Sequence, residues 1–246
     1  MKSKRILLFG SLGLLVLLAI AVWFFQFTLA GYRMTVPYRT AFESISDHIY
    51  INKGYSGNKE EIITLAKLAE ERDKEFFGSL QCMDDTIMIF CDDDLLISKL
   101  GGDHDTLTVS FPSLKHYISV SEEYLDIDIL AHELTHAEFH SRLTAMARSK
   151  VPLWFDEGLA LQNDYREQYG EESWIVQTNH GKNIVPLEEM DEPAEFYAGT
   201  KEDRRFRYLN AKHVVSGWME SNKLQGLLEL IDRLNHGEEF SDAYNR

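Results

Sequence analysis

From Ile6 to Phe27 the chain runs twenty-two residues without a charged side chain. A helix of that length, at about 1.5 Å per residue, covers a hydrocarbon layer of about 30 Å, and a lone segment in hydrocarbon satisfies its backbone only as a helix. Lys2, Lys4 and Arg5 precede the run, and Trp23, Phe24, Phe25 and Phe27 close it. Basic residues stay on the cytoplasmic side, and aromatic rings favour the membrane interface. The segment therefore predicts a signal anchor, with 1–5 as a cytoplasmic tail and 6–27 as a single transmembrane helix of the cell membrane. Residues 31–246 form one domain outside the cytoplasm in this reading, an orientation that Arg33 and Arg39 oppose. Thr28-Leu29-Ala30 before Gly31 offers small residues to a signal peptidase, so a cleaved signal peptide is the alternative. The run is longer than the usual apolar region of about 7–15 residues in a signal peptide, which favours the uncleaved anchor.

The chain beyond the anchor is long enough to bury one core. A hydrophobic content of 44% with 15 Gly and 5 Pro excludes a disordered or collagen-like chain. The formal charge is -15, and Lys2, Lys4 and Arg5 account for three of the 25 basic groups, so the domain itself is more acidic still. Nucleic acid is excluded as a partner, because a phosphate-binding surface needs a basic stripe. Beyond the tail the one compact basic cluster is Arg204, Arg205 and Arg207, which reads as a solvated helix face. The acidic excess is compatible both with steering of basic substrates and with simple solubility. Cys82 and Cys91 are too few for a disulfide framework or a cysteine-rich metal site; they read as one bridge or as two buried thiols.

His48–Ile51, Thr86–Cys91, Leu107–Phe111 and Tyr117–Val120 read as short strands. Between the first two, Asn58 is a good N-cap and Gly78 a good stop for a helix whose apolar residues recur at helical spacing. The run Asp92-Asp93-Asp94 lacks the spaced ligands and glycine of a calcium loop and reads as a solvated helix start. Beyond Asp126 the pattern changes to helices, at 126–148, 152–168, 204–220 and 223–235. Strands first and helices later predict an α+β domain: a small N-terminal sheet over about 46–125, then a mainly helical half over 126–246. The helices are expected on one side of the sheet, without parallel strand-helix-strand alternation.

His132-Glu133-Leu134-Thr135-His136 lies inside the helix opened by Asp126. Residues four apart project from one helix face, so both imidazoles can share one ion, and zinc suits that pair. Glu133 can reach a water at the metal without being a ligand. Leu130, Leu134 and Ala137 form the core-facing stripe, and Tyr117–Val120 reads as a nearby edge strand. Catalytic zinc normally takes three protein ligands. His140 continues the stripe but lies about 12 Å along the axis from His132, too far for one ion. Glu157, in the run PLWFDEGLA from Pro152 to Ala160, is the better third ligand, because the chain can turn and return over that distance and Pro152 suits the start of a returning helix. Taken alone, Glu157 also reads as a helix-start acid favoured by the helix dipole.

HELTHA followed by PLWFDEGLA resembles the gluzincin metallopeptidases, especially compact bacterial members with a single N-terminal anchor. The resemblance extends more loosely over about 46–246. It implies His132, His136 and Glu157 as ligands of one zinc per chain and Glu133 as the catalytic base of a peptide-bond hydrolase. The implied substrate is a peptide or protein, and the implied fold is zincin-like. A Tyr or His after the zinc glutamate stabilises the oxyanion in such relatives; Tyr208, Tyr197 and His213 qualify, with Tyr208 favoured because FRYLNAKHVV looks like the corresponding helix start. The chain lacks the Gly-x-Met-Glu-Asn run of aminopeptidase relatives and an acid four residues after Glu157, where Leu161 stands. Asp164 is the remaining candidate to orient a histidine. His104, His116, His180 and His236 show no ligand spacing and read as surface or loop histidines. The alternative to an enzyme is a degenerate peptidase-like binding module that retains zinc.

Overall fold

The structure, a computed structural model, describes residues 2–101, 107–110 and 115–246. Side chains are described from residue 13 onward, apart from Phe27, Leu107 and Ser110. His104, Phe111 and the first part of the predicted anchor, 6–12, lie outside that description.

Helix α1 (Lys2–Phe27) leads into α2 (Leu29–Met34), strands β1 (Phe42–Ser46) and β2 (Ile49–Asn52) and helix α3 (Lys59–Phe77). Strand β3 (Thr86–Cys91), helix α4 (Asp94–Leu100) and strands β4 (Leu107–Ser110) and β5 (His116–Ser121) complete the sheet-bearing half. The rest is helical: α5 (Ile127–Ser141), α6 (Ala145–Arg148), α7 (Leu153–Ala160), α8 (Glu171–Gln177), α9 (Pro193–Phe196), α10 (Lys201–Asn235) and α11 (Phe240–Tyr244). The mixed α+β order read from the sequence is present.

Three details of that reading are corrected. The sheet order is β1-β2-β3-β5-β4, with β2 parallel to β3 and β3 parallel to β5, so β2-α3-β3 is a parallel strand-helix-strand unit. Helices cover both faces: Ile62, Ala66 and Ala69 of α3 and Leu130, Leu134 and Ala137 of α5 pack on one, while Tyr32 of α2 and Ile97 and Leu100 of α4 pack on the other. β5 is an inner strand, and the edge near α5 is β4. The unbroken apolar run of β3, buried at every residue, is what double coverage requires.

Caps fix the helix bounds. Asn58 accepts from the amides of Glu60 and Glu61 at the start of α3, and Gly78 ends it in the left-handed region at φ 73°. The expected helix 126–148 is two, because the chain turns at Arg142–Thr144 and Thr144 caps α6. The expected helix 152–168 ends earlier as α7, with Pro152 as its N-cap and a 3-10 turn over Leu161–Asn163. In α10 a single non-helical residue, Lys223 (φ 55°), marks the predicted division between 204–220 and 223–235.

The helical half closes on a core in which Phe139, Trp154, Phe155, Phe196, Leu227 and Phe240 meet. Cys82 and Cys91 are free, buried thiols. In α1, Leu14–Leu18, Ile20, Val22 and Trp23 stand 52–69% exposed. Among the described residues no helix is long and apolar enough to cross a membrane.

Candidate metal centre

Asp126 opens α5 by accepting from the amide of Asp128, and the helix then runs through the middle of the molecule with 129–139 buried throughout. Each side of it is committed. Leu130, Leu134 and Ala137 face the sheet. On another side Thr135 donates to Asp73 Oδ1 (2.6 Å), which also accepts from Asn163 (3.0 Å), and Glu138 Oε2 accepts from the amides of Gln81 and Cys82. The remaining side presents His132, Glu133, His136 and His140 to a cavity of ≈ 790 Å³.

Helix α7 brings acidic side chains to that face. Trp154, Phe155 and Leu159 enter the helical core, which leaves Asp156 and Glu157 directed at α5. His132 Nε2 and His136 Nε2 lie 3.2 Å apart, and each is 3.3 Å from Glu157 Oε2. Three donors bound at about 2.1 Å in tetrahedral directions stand about 3.4 Å from one another, so these atoms form a triangle close to the size that one ion needs. All three residues are buried, and beyond the two imidazole nitrogens at 3.3 Å, neither in good hydrogen-bond geometry, Glu157 Oε2 meets no donor. A buried carboxylate oxygen left in that state is costly unless a cation completes it. The group can hold a metal ion.

The outer contacts orient this triangle. Asp156 Oδ1 lies 2.8 Å from His136 Nδ1, and Asp156 Oδ2 lies 2.7 Å from His140 Nε2. His140 lies outside that triangle, and with His136 and Asp156 it makes a second, overlapping group whose ligand atoms are also close enough to hold an ion. Tyr197 Oη donates to Glu157 Oε1 at 2.5 Å, leaving Oε2 for the imidazoles. Asp164 Oδ2 is 3.8 Å from His132 Nδ1, outside hydrogen-bond range, and Arg166 grips that carboxylate at 2.5 Å.

Charge follows the contacts. Burial alone would depress His136, but Asp156 and Glu157 outweigh it and hold the imidazole well above its ordinary 6.5. Burial would raise Glu157, yet His136 and His132 bring it down to about 2, so it is a carboxylate at neutral pH. Burial, reinforced by the Glu157 charge, raises both Tyr197 and Tyr208, which keeps the phenols protonated as donors.

Glu133 is buried to 8% exposure and lines the same cavity, and its backbone carbonyl accepts from Thr108 of β4 at 3.1 Å. Tyr208 packs edge-on against His132, with ring centroids 6.4 Å apart. Tyr197 is also at the site, whereas His213 stacks on Trp174 at 3.4 Å and pairs with Glu171, outside the cavity lining. His116 is buried in β5 and is no surface histidine, while His236 is exposed beside Asp232. Arg204 and Arg205 line the cavity, which corrects their reading as a solvated face; Arg207 instead donates to the carbonyls of Phe196 and Ala198.

Sequence reasoning missed Asp156 as the partner of His136 and the hold of Tyr197 on Glu157. Neither has a spacing signal, because each contact joins segments far apart in the chain, α5 to α7 and the end of α9 to α7, whose approach the sequence does not encode locally. No protein-family model matches the chain, and no curated protein matches it.

Proposed function

We propose that the protein is a membrane-anchored zinc peptidase that hydrolyses peptide bonds with Glu133 as its proton carrier. The observation that carries this reading is the buried His132-His136-Glu157 triangle sharing one cavity with a carboxylate, Glu133, that takes no part in it. Two nitrogens and one oxygen with an open side toward a cavity are the donor set of catalytic zinc; a structural site would be closed by a fourth protein ligand. When bound, zinc supplies a Lewis acid that acidifies water and polarises a carbonyl.

The chain's own residues do the rest. Glu133 takes a proton from the attacking water and returns it to the leaving amine. Tyr208, held protonated beside His132, donates to the oxyanion that develops on the scissile carbonyl. Tyr197 is already engaged by Glu157 and acts as a positioning residue, as does Asp156 for His136. A peptide is favoured as substrate because β4 is an edge strand contributing Thr108 to the cavity wall, and an extended chain can add to such an edge.

Anchoring is part of the same proposal. The apolar side chains of α1 are exposed along its described length, and an apolar surface of that kind calls for an apolar environment. Arg39 ties the end of α1 to the domain by donating to the Phe25 carbonyl and to Gln26 Oε1.

The test is hydrolysis of a denatured-protein or peptide mixture by the purified full chain. Activity abolished by a chelator and restored by about one equivalent of zinc is the expected result; cleavage that continues after complete metal removal would refute the proposal.

A further inference from the structure

We infer that the cavity wall contributed by α10 is a subsite for a carboxylate of the peptide substrate, formed by Lys201, Arg204 and Arg205; the inference rests on the peptidase reading above. These residues stand at i, i+3 and i+4, and Tyr208 comes at i+7, so one helix face carries three cations in line with a phenol that reaches His132. All four line the cavity. Arg207 falls off this face and is spent on the carbonyls that hold the Tyr197 loop.

The other charges on the wall are already matched. Arg166 is clamped to Asp164, Arg148 lies in the field of Asp156, and Glu133, Asp156 and Glu157 belong to the centre itself. That leaves Glu202 as the one further acid among the described lining residues, against three cations. Neither the Lys201 nor the Arg204 side chain has a hydrogen-bond or ion-pair partner among the described residues. Grouping unmatched cations in the cavity of a chain with net charge -15 runs against its overall composition. Distant surface acids are screened beyond about 8 Å at physiological ionic strength, so the local trio sets the potential that a bound group meets. A peptide offers the matching carboxylate in two ways, as its C-terminus or as an Asp or Glu side chain, and guanidinium groups bind both by charge-assisted hydrogen bonds.

The experiment digests one peptide library, prepared as free C-terminal acids and as C-terminal amides, with the zinc-loaded full chain, and ranks cleaved peptides by mass spectrometry. An enrichment of about tenfold for carboxylate-bearing peptides is expected, equivalent to about 1.4 kcal/mol. Enrichment confined to the free-acid library identifies the C-terminus, whereas enrichment for Asp and Glu over Asn and Gln in both libraries identifies a side chain. The combined variant Lys201→Gln, Arg204→Gln, Arg205→Gln should bring the ratio close to one. Equal cleavage of acidic and neutral peptides by the wild type, or an enrichment that survives in the triple variant, overturns the subsite while leaving the peptidase reading intact. A chain that cleaves nothing sinks that reading instead, and binding of the same libraries to zinc-loaded Glu133→Gln then decides the subsite by whether carboxylate peptides are retained in preference to neutral ones.

Discussion

Asp156 touches no member of the metal triangle except through His136, yet its two oxygens span His136 and His140. Partners of this kind set the tautomer and direction of a ligating imidazole, and their loss typically costs about 10- to 100-fold in metal affinity. Asp156→Asn should therefore weaken zinc binding by that order while stoichiometry at saturating zinc stays near one, as competition with a chromogenic chelator will report. An unchanged affinity would remove Asp156 from the account. Beneath the site, burial lifts the Asp73 carboxyl to about 8, against the opposing hydrogen bonds from Thr135 and Asn163. Its folded value lies above the unfolded 3.8, so the folded state keeps a proton that the unfolded chain releases. The stability that Asp73 contributes is complete below about 4 and is lost as pH rises toward about 8. Asp73→Asn should accordingly gain stability relative to wild type across that interval in urea titrations; parallel pH profiles would contradict the assignment. Glu133 and the His132-His136 pair were legible in the sequence because helical spacing alone sets their common face. Asp156, the contact of Tyr197 with Glu157 and the place of Lys201, Arg204 and Arg205 at the cavity were not, because each depends on which element lies opposite.

Helices α7 and α10 approach so closely at Gly158 that an added Cβ would lie 2.6 Å from the Ala211 carbonyl oxygen and 2.6 Å from Val215 Cγ2. The carbonyl belongs to a helix backbone and cannot step aside. Gly158→Ala should cost about 1–3 kcal/mol of overpacking and, by displacing the neighbouring Glu157, should also lower zinc affinity; full stability with native zinc affinity would show that the two helices do not meet this closely. The existence of most elements was readable from period and caps, as with Asn58 and Gly78 around α3. The sheet order was not, because pairing of β2 with β3 and of β3 with β5 joins segments that nothing local connects. The continuous run TIMIFC did carry a signal for cover on both faces, which the expectation of helices on one side of the sheet passed over.

In the whole molecule, the membrane attachment proposed for the uncharged run Ile6–Phe27 and the chemistry proposed for the metal centre are independent of each other. The full chain should remain with membranes after alkaline carbonate washing, and protease added to intact cells should reach residues 31–246. A soluble mature chain starting at Gly31 would show that the segment is removed. Glu133 separates a proton-moving catalyst from a fold that merely holds a metal, because it lines the cavity without joining the triangle. Glu133→Gln keeps the size of the side chain and its hydrogen-bonding reach but removes the basic carboxylate. The most direct measurement is therefore peptide hydrolysis by wild type and Glu133→Gln at matched zinc occupancy. A catalytic Glu133 requires a rate at least about a hundredfold lower in the variant, with zinc content and thermal stability nearly unchanged; equal rates at equal occupancy would rule that role out.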